Sequence, residues 1–168
     1  MKKLINKTII LSLFVALTGC NDWLDVSPKA DMKAEDLFGT EAGFRDALVG
    51  VYALMCGTNS YGRDLTYGYL DVLAQYYNSP LKTTSSGYEH NFKNAAEYKY
   101  TEKTEESRIS SIWSNHFSAV ANINQAMLFI DENKGVFTSP EVHDVYKGEF
   151  LALRAFLHFD ILRLFAPS

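Results

Sequence analysis

Ser139-Pro140-Glu141-Val142-His143-Asp144-Val145-Tyr146-Lys147-Gly148-Glu149-Phe150-Leu151-Ala152-Leu153-Arg154-Ala155-Phe156-Leu157-His158-Phe159-Asp160-Ile161-Leu162-Arg163-Leu164-Phe165 carries its own start and stop signals. Ser139 can cap a helix N-terminus, Pro140 suits the first helical position, and Glu141 puts a carboxylate where the helix dipole favours one. Pro167 disfavours helix in the residue before it, so the spacing predicts a helix ending near Phe165. Between Phe150 and Phe165 twelve of sixteen residues are apolar, which predicts a helix apolar round most of its circumference and buried on several sides. Arg154, His158, Asp160 and Arg163 interrupt it and argue against a place in lipid. Arg154 should form a buried ion pair with Glu149 or Asp160, its neighbours in sequence, because buried charges are normally paired. The chain stops at Leu164-Phe165-Ala166-Pro167-Ser168, straight after this helix. Either the helix docks back on earlier helices, or the chain is the N-terminal part of a longer protein.

Upstream of Ser139, Asn133-Lys134-Gly135 ends another helical pattern. It runs from about Ser107 to Glu132, with Ile109, Ile112, Trp113, His116, Val120, Ile123, Met127 and Ile130 along one stripe. The short link between the two patterns predicts an antiparallel hairpin. From Leu81 to about Glu106 the apolar period lapses, and connections this long are uncommon inside compact domains. Tyr88, Phe92, Tyr98 and Tyr100 lie in it, and such aromatic content argues against disorder. A helix is expected over 64–77, with Leu65, Tyr69, Val72, Leu73 and Tyr76 on one face. Another is expected over 40–56: Thr40 is its cap, Phe44, Ala47, Leu48, Val51, Tyr52 and Met55 share a face, and Gly57 ends it. Residues 20–39 lack a sustained period and read as an extended tether, with one turn of helix at Asp36-Leu37-Phe38. No strand alternation is convincing. The fold class expected is all-α, with antiparallel helical hairpins in a tetratricopeptide-like arrangement over 40–168, although the Trp, Gly and Tyr repeat signature has no second copy.

At the other end, Lys2, Lys3 and Lys7 precede the apolar run from Ile9 to Leu17. A charged start, an apolar middle and small residues before a cysteine make a signal peptide, residues 1–19. The run is too short to cross a hydrocarbon core of about 30 Å, which takes roughly 20 helical residues. Leu17-Thr18-Gly19-Cys20 resembles the bacterial lipobox, which makes Cys20 the site of lipid attachment. With Cys20 acylated, Cys56 is the only thiol left, so no intramolecular disulfide or cysteine zinc cluster is available. Cys56 itself reads as inert packing. A net charge of −4 and a pI near 5.5, with no basic stripe after residue 20, argue against nucleic acid as a partner.

No nucleophile elbow, phosphate loop or zinc helix is present, so no catalytic residue, metal or cofactor is expected. His116 falls on an apolar stripe and should be a hydrogen-bonded core residue. His143 is expected to be exposed beside Asp144. His158 follows Arg154 by one turn, a cationic neighbour that disfavours its protonated form. Glu102, Glu105 and Glu106 read as a solvated face, the last two favouring the helix start. Nothing proposes the opposed carboxyls of a glycosidase. Asn122 and Asn124 each cost roughly half a kcal/mol against alanine inside a helix, so specific bonds are expected of them. Eight tyrosines lie between Tyr61 and Tyr100, and aromatic faces stack on sugar rings. Tyr69 and Tyr76 sit on the helical stripe and should be core. For Tyr77, Tyr88, Phe92, Tyr98 and Tyr100, packing and ligand contact both stay open.

Three stretches together resemble the SusD/RagB family of outer-membrane nutrient-binding lipoproteins: Cys20-Asn21-Asp22-Trp23-Leu24-Asp25-Val26-Ser27-Pro28, the helix from Trp113 to Ala121-Asn122-Ile123-Asn124, and Gly148 to Pro167. The resemblance implies a surface-exposed, lipid-anchored protein with tetratricopeptide-like hairpins. It would bind glycans or other nutrients without catalysis and deliver them to a TonB-dependent outer-membrane transporter. Family members are longer, which implies that this chain is an N-terminal part. Their ligand sites draw on aromatics after the second helix, which makes Tyr77, Tyr88 and Phe92 the candidates here. Two other readings are a structural lipoprotein whose hairpins grip a protein partner, and a lipid-anchored hydrolase, for which no residue speaks.

Overall fold

Capping places the long helices where the spacing predicts them. The computed structural model describes residues 33–77 and 92–167. The expected signal peptide, Cys20, most of the tether and Tyr88 lie outside the described residues. The elements are α1 (Ala34–Leu37), α2 (Glu41–Met55), α3 (Tyr69–Leu73), α4 (Lys93–Ala96), α5 (Lys103–Ile130) and α6 (Pro140–Phe165), with a 3-10 turn at Lys134–Val136. No strand occurs among the described residues. Thr40 Oγ1 accepts from Gly43 N at 3.1 Å at the start of α2, and Ser139 Oγ accepts from Val142 N at 3.4 Å at the start of α6.

Side-chain bonds between helices show how they run. Lys147 donates to Asp131 and Arg154 to Asn124, so α5 and α6 are antiparallel. Asn133 donates to Phe38 O and Asn115 to Leu54 O, so α2 is antiparallel to α5 as well. Thr138 donates to Glu41 and Tyr52 to Glu149, which makes α2 and α6 parallel. An up-down-up triplet of this kind is the packing unit of a helical-hairpin fold. Its core is Phe44, Leu48 and Val51 from α2, Ile123 and Ile130 from α5, and Phe150 and Leu157 from α6. Ala119 and Ala126 on α5 keep the axes close. Phe38, at the end of what reads in sequence as tether, is 2% exposed. Its ring lies 5.0 Å from Phe44 and 5.2 Å from Phe129, and such burial contributes about 1.5–3 kcal/mol.

Several expectations need correction. The helix expected over 64–77 is only the five residues of α3. Residues 58–68 form successive turns instead, in which Gly62 and Gly68 lie against backbone: a Cβ on Gly62 would sit 2.2 Å from Cys56 O, and one on Gly68 2.8 Å from Arg63 O. Gln75, at φ 58, then ends the helix in the left-handed region. Second, the irregular stretch expected to reach Glu106 is interrupted by α4 and stops at Lys103. Third, α6 is buried on one face, through His143, Phe150, Leu153, Leu157 and Asp160, while Leu151, Phe156, Phe159 and Leu162 are exposed. Only α2 and α5 cover it among the described long helices. Fourth, Arg154 is half-exposed and donates to Asn124 Oδ1 at 3.2 Å, while Glu149 accepts from Tyr52 and Asp160 from Tyr61 and Arg163. A solvated guanidinium needs no buried counter-ion. Cys56 is likewise exposed, as the C-cap of α2.

Candidate functional site

Exposed tyrosines gather around α3. Tyr67, Tyr76, Tyr77, Tyr98 and Tyr100 are between 46% and 75% exposed. Tyr76 was expected in the core with Tyr69; α3 ends before it, and only Tyr69 is buried. Three of the hydroxyls are committed to backbone: Tyr67 donates to Gly62 O at 2.8 Å, Tyr77 to Tyr67 O at 2.5 Å and Tyr98 to Leu73 O at 3.0 Å. The short helices beneath are cross-tied, Gln75 Nε2 donating to Ala96 O at 3.1 Å while Tyr98 reaches back to α3. Both tying residues have φ near 55–58°, a strained conformation for a residue with a side chain.

Among the sequence candidates, Tyr77 belongs to this exposed surface. Phe92 is half-buried, with the Arg108 guanidinium 4.6 Å and the Arg63 guanidinium 5.6 Å from its ring centre. Tyr88 lies outside the described residues. Tyr77 is tied to Tyr67 and, through it, to the turn that carries Arg63. Tyr67 receives the Tyr77 bond on its carbonyl, and its ring lies back on Gly62, next in the chain to Arg63. The signal for Tyr67 and Arg63 was Gly62 and Gly68 bracketing a segment that otherwise looks helical.

Under this surface lies a buried ion cluster. Asp64, 1% exposed, accepts from Arg63 Nε at 2.7 Å and Nη2 at 3.3 Å, and from Arg108 Nη1 at 3.4 Å. Arg108 Nε stands 3.7 Å from Glu105, and its guanidinium also lies 5.6 Å from the Tyr69 ring centre. Glu105 is fully buried, which corrects its reading as part of a solvated face. It falls two turns before Ile112 on the buried stripe of α5. Burial raises the Glu105 carboxyl above its ordinary range, Arg108 opposes that, and the Asp64 charge adds to it. Neither oxygen accepts a hydrogen bond. Burial, then the Glu105 charge, push the Tyr69 hydroxyl up to about 12.

A carboxyl whose pKa is raised on folding favours the folded state fully below its unfolded value, and that contribution is lost as pH rises through the folded value. Glu105→Gln, which cannot ionise, should therefore unfold at a higher temperature than the parent at pH 7. The gap should close as pH falls towards the model-peptide range near 4.5. Thermal unfolding by circular dichroism between pH 4.5 and 8 checks this.

His116 and His143 are structural. His116, 1% exposed, sits 3.0 Å from Ile112 O through Nδ1 and 3.3 Å from Tyr61 Oη through Nε2, in the core as expected. Tyr61 in turn donates to Asp160 at 2.5 Å. His143 is buried rather than exposed, between Asp144 at 2.9 Å and Asp131 at 3.5 Å with its ring against Phe137. An apolar recess of about 320 Å³, with Tyr100 among its lining residues, opens between α3, α5 and the end of α6.

Residues 22–168 match the family SusD-like_3, described as "Starch-binding associating with outer membrane". The chain belongs to the SusD/RagB family. The match spans every described helix, and the all-α hairpin architecture is the one the family resemblance implies. Comparison with curated proteins and with solved structures gave no match. Membership brings glycan binding and association with the outer membrane, and the exposed tyrosines around α3 are ring surface of the kind sugars stack on.

Proposed function

We propose that this SusD/RagB protein is a non-catalytic lipoprotein that binds oligosaccharides at the outer-membrane surface and delivers them to a TonB-dependent transporter. The observation that carries the reading is the family match over residues 22–168. The anchor is Cys20, acylated after removal of residues 1–19, as Leu17-Thr18-Gly19-Cys20 and the preceding apolar run support. Residues 20–33 lead from the lipid to the helical body, which begins at α1. Tyr77, Tyr88 and Phe92 are the proposed ligand contacts, Tyr77 being supported by its exposed ring. Leu151, Phe156, Phe159 and Leu162, exposed along α6, support a body that continues into further helices.

Two measurements in cells expressing the full-length protein test this. The parent should take up labelled palmitate and fractionate with outer membranes, and Cys20→Ser should do neither. The purified protein should be retarded in gels containing starch or another glycan and should copurify with a TonB-dependent transporter. No retardation by any glycan and no transporter would overturn the reading. The apolar face of α6 favours a second reading, in which the hairpins grip a protein partner; transporter capture without sugar binding would support it.

A further inference from the structure

We infer that Tyr61, His116 and Asp160 form a proton-operated latch that holds the turns of residues 58–68 on the α5–α6 hairpin. Each of the three comes from a different part of the fold: Tyr61 from the turns, His116 from α5 and Asp160 from α6. His116 and Asp160 are 1% and 3% exposed, so their polar atoms depend on protein partners and not on bulk water. The protons between them can be counted. Ile112 O, 3.0 Å from His116 Nδ1, can only accept, which puts a proton on Nδ1. Tyr61 has one hydroxyl proton and gives it to Asp160 Oδ2 at 2.5 Å, while Asp160 Oδ1 accepts from Arg163 Nη2 at 2.9 Å. Burial, then the bond to Asp160 and its charge, push the Tyr61 hydroxyl far above its ordinary range, against the pull of Arg163, so it stays protonated. His116 Nε2 stands 3.3 Å from the Tyr61 oxygen. With the hydroxyl proton directed at Asp160, these two atoms bond only when Nε2 is protonated as well; without that proton, two lone pairs face each other. The closed latch is therefore an imidazolium whose charge is answered by Asp160 through Tyr61.

Histidine is the side chain that exchanges a proton between about pH 5 and 8. A bond made by the protonated ring holds the latch shut at the low end and is lost as pH rises. Among the described residues, α5 carries no other ionisable side chain between Arg108 and Asp131. Its neighbour α2 brings Tyr52, bonded to Glu149, and the exposed Cys56. Besides Asp160 and Arg163, α6 brings the exposed His158, whose Nδ1 lies 2.8 Å from Arg154 O. Tyr61 also anchors the turns from within, since its N donates to Met55 O and its O accepts from Thr66 Oγ1 at 3.1 Å. Asn59 to Ser111 O and Arg108 to Asp64 tie the same turns to α5 independently, so opening the latch loosens them and leaves the hairpin intact. Tyr67, whose carbonyl receives the Tyr77 hydroxyl, rides on these turns, and the exposed tyrosine surface gains mobility as pH rises.

Ring-nitrogen NMR and amide hydrogen exchange of the full-length protein between about pH 5 and 8 test the latch. At the low end both ring nitrogens of His116 should carry protons. Loss of the Nε2 proton should coincide with exchange about tenfold faster at the amides of residues 58–68, after division by their intrinsic rates, the size expected for one hydrogen bond to a charged group. His116→Gln and Tyr61→Phe should abolish this pH dependence. Glu105→Gln, which removes the raised carboxyl near Asp64, should keep it. A ring with one proton throughout, or turns equally protected at both ends, overturns the latch, and both readouts come from the parent and need no variant to fold. A dependence that vanishes in Glu105→Gln and survives in His116→Gln places the effect in the ion cluster and overturns it as well.

Discussion

Gly43→Ala should cost about 3 kcal/mol of stability and lower the unfolding midpoint by about 10 °C. In most exposed helix positions the same change gains up to about 1 kcal/mol, because alanine restricts the unfolded chain and suits the helix. Here the sign is reversed by packing. A Cβ on Gly43 would stand 1.6 Å from Leu37 O and 2.6 Å from Leu37 C. These are backbone atoms, so no change of rotamer relieves the clash, and α1 must move off α2. Phe38 moves with α1 and loses its place against Phe44 and Phe129. Gly50 and Gly148, helical positions where an added Cβ meets nothing within 4 Å, are the comparison: Gly50→Ala and Gly148→Ala should hold or raise the midpoint. Thermal and urea unfolding of the three variants measures the contrast. Equal midpoints for Gly43→Ala and Gly50→Ala would show that α1 does not pack on α2 as described.

Arg108→Leu should cost about 3 kcal/mol, the lower end of what removing one partner of a buried ion pair costs. The lower end applies because Asp64 keeps Arg63, bonded at 2.7 Å. Among the described residues Arg108 is the cation beside Glu105, which is fully buried with both oxygens lacking a hydrogen bond and is left without that counter-charge. The Tyr69 ring also loses the cation over it, and Phe92 is left with Arg63 at 5.6 Å. Adding Glu105→Gln to Arg108→Leu removes the stranded carboxylate and should recover a sizeable part of the loss, a coupling that a double-mutant cycle in urea isolates. A double variant as unstable as Arg108→Leu alone would place the cost in lost packing instead.

How much of this was legible in the sequence differs from element to element. The start of α6 could be read from Ser139-Pro140-Glu141 and that of α2 from Thr40, because a cap is a bond between a side chain and a backbone N–H three residues away. Most of the α5 stripe was equally plain, and His116 sits inside as its period requires. Trp113, expected on the same stripe, is 43% exposed, and the helix serves two core clusters, Ile112 in one and Ile123 and Ile130 in the other. Tyr69 and Tyr76 mark where such reasoning stops. Their seven-residue spacing fits one helical face, yet only Tyr69 is buried, because the backbone turns away at Gln75 after α3. Glu105 shows the same limit from the other side: a charged residue in a charged run looks solvated until Asp64 and Tyr69 are brought near it by the fold.

For the candidate site, the sequence offered aromatic density between Tyr61 and Tyr100 and a family resemblance, which membership over residues 22–168 upholds. Helix class, caps, hairpin direction and the buried stripe followed from the chain alone because they rest on contacts within a few residues. Which tyrosines face water, which carboxylate is buried and which cations face it came only with the tertiary structure. Each depends on a backbone or guanidinium brought close from elsewhere in the fold, as Gly62 is to Cys56 and Arg108 to Asp64, and no local pattern encodes an approach of that kind.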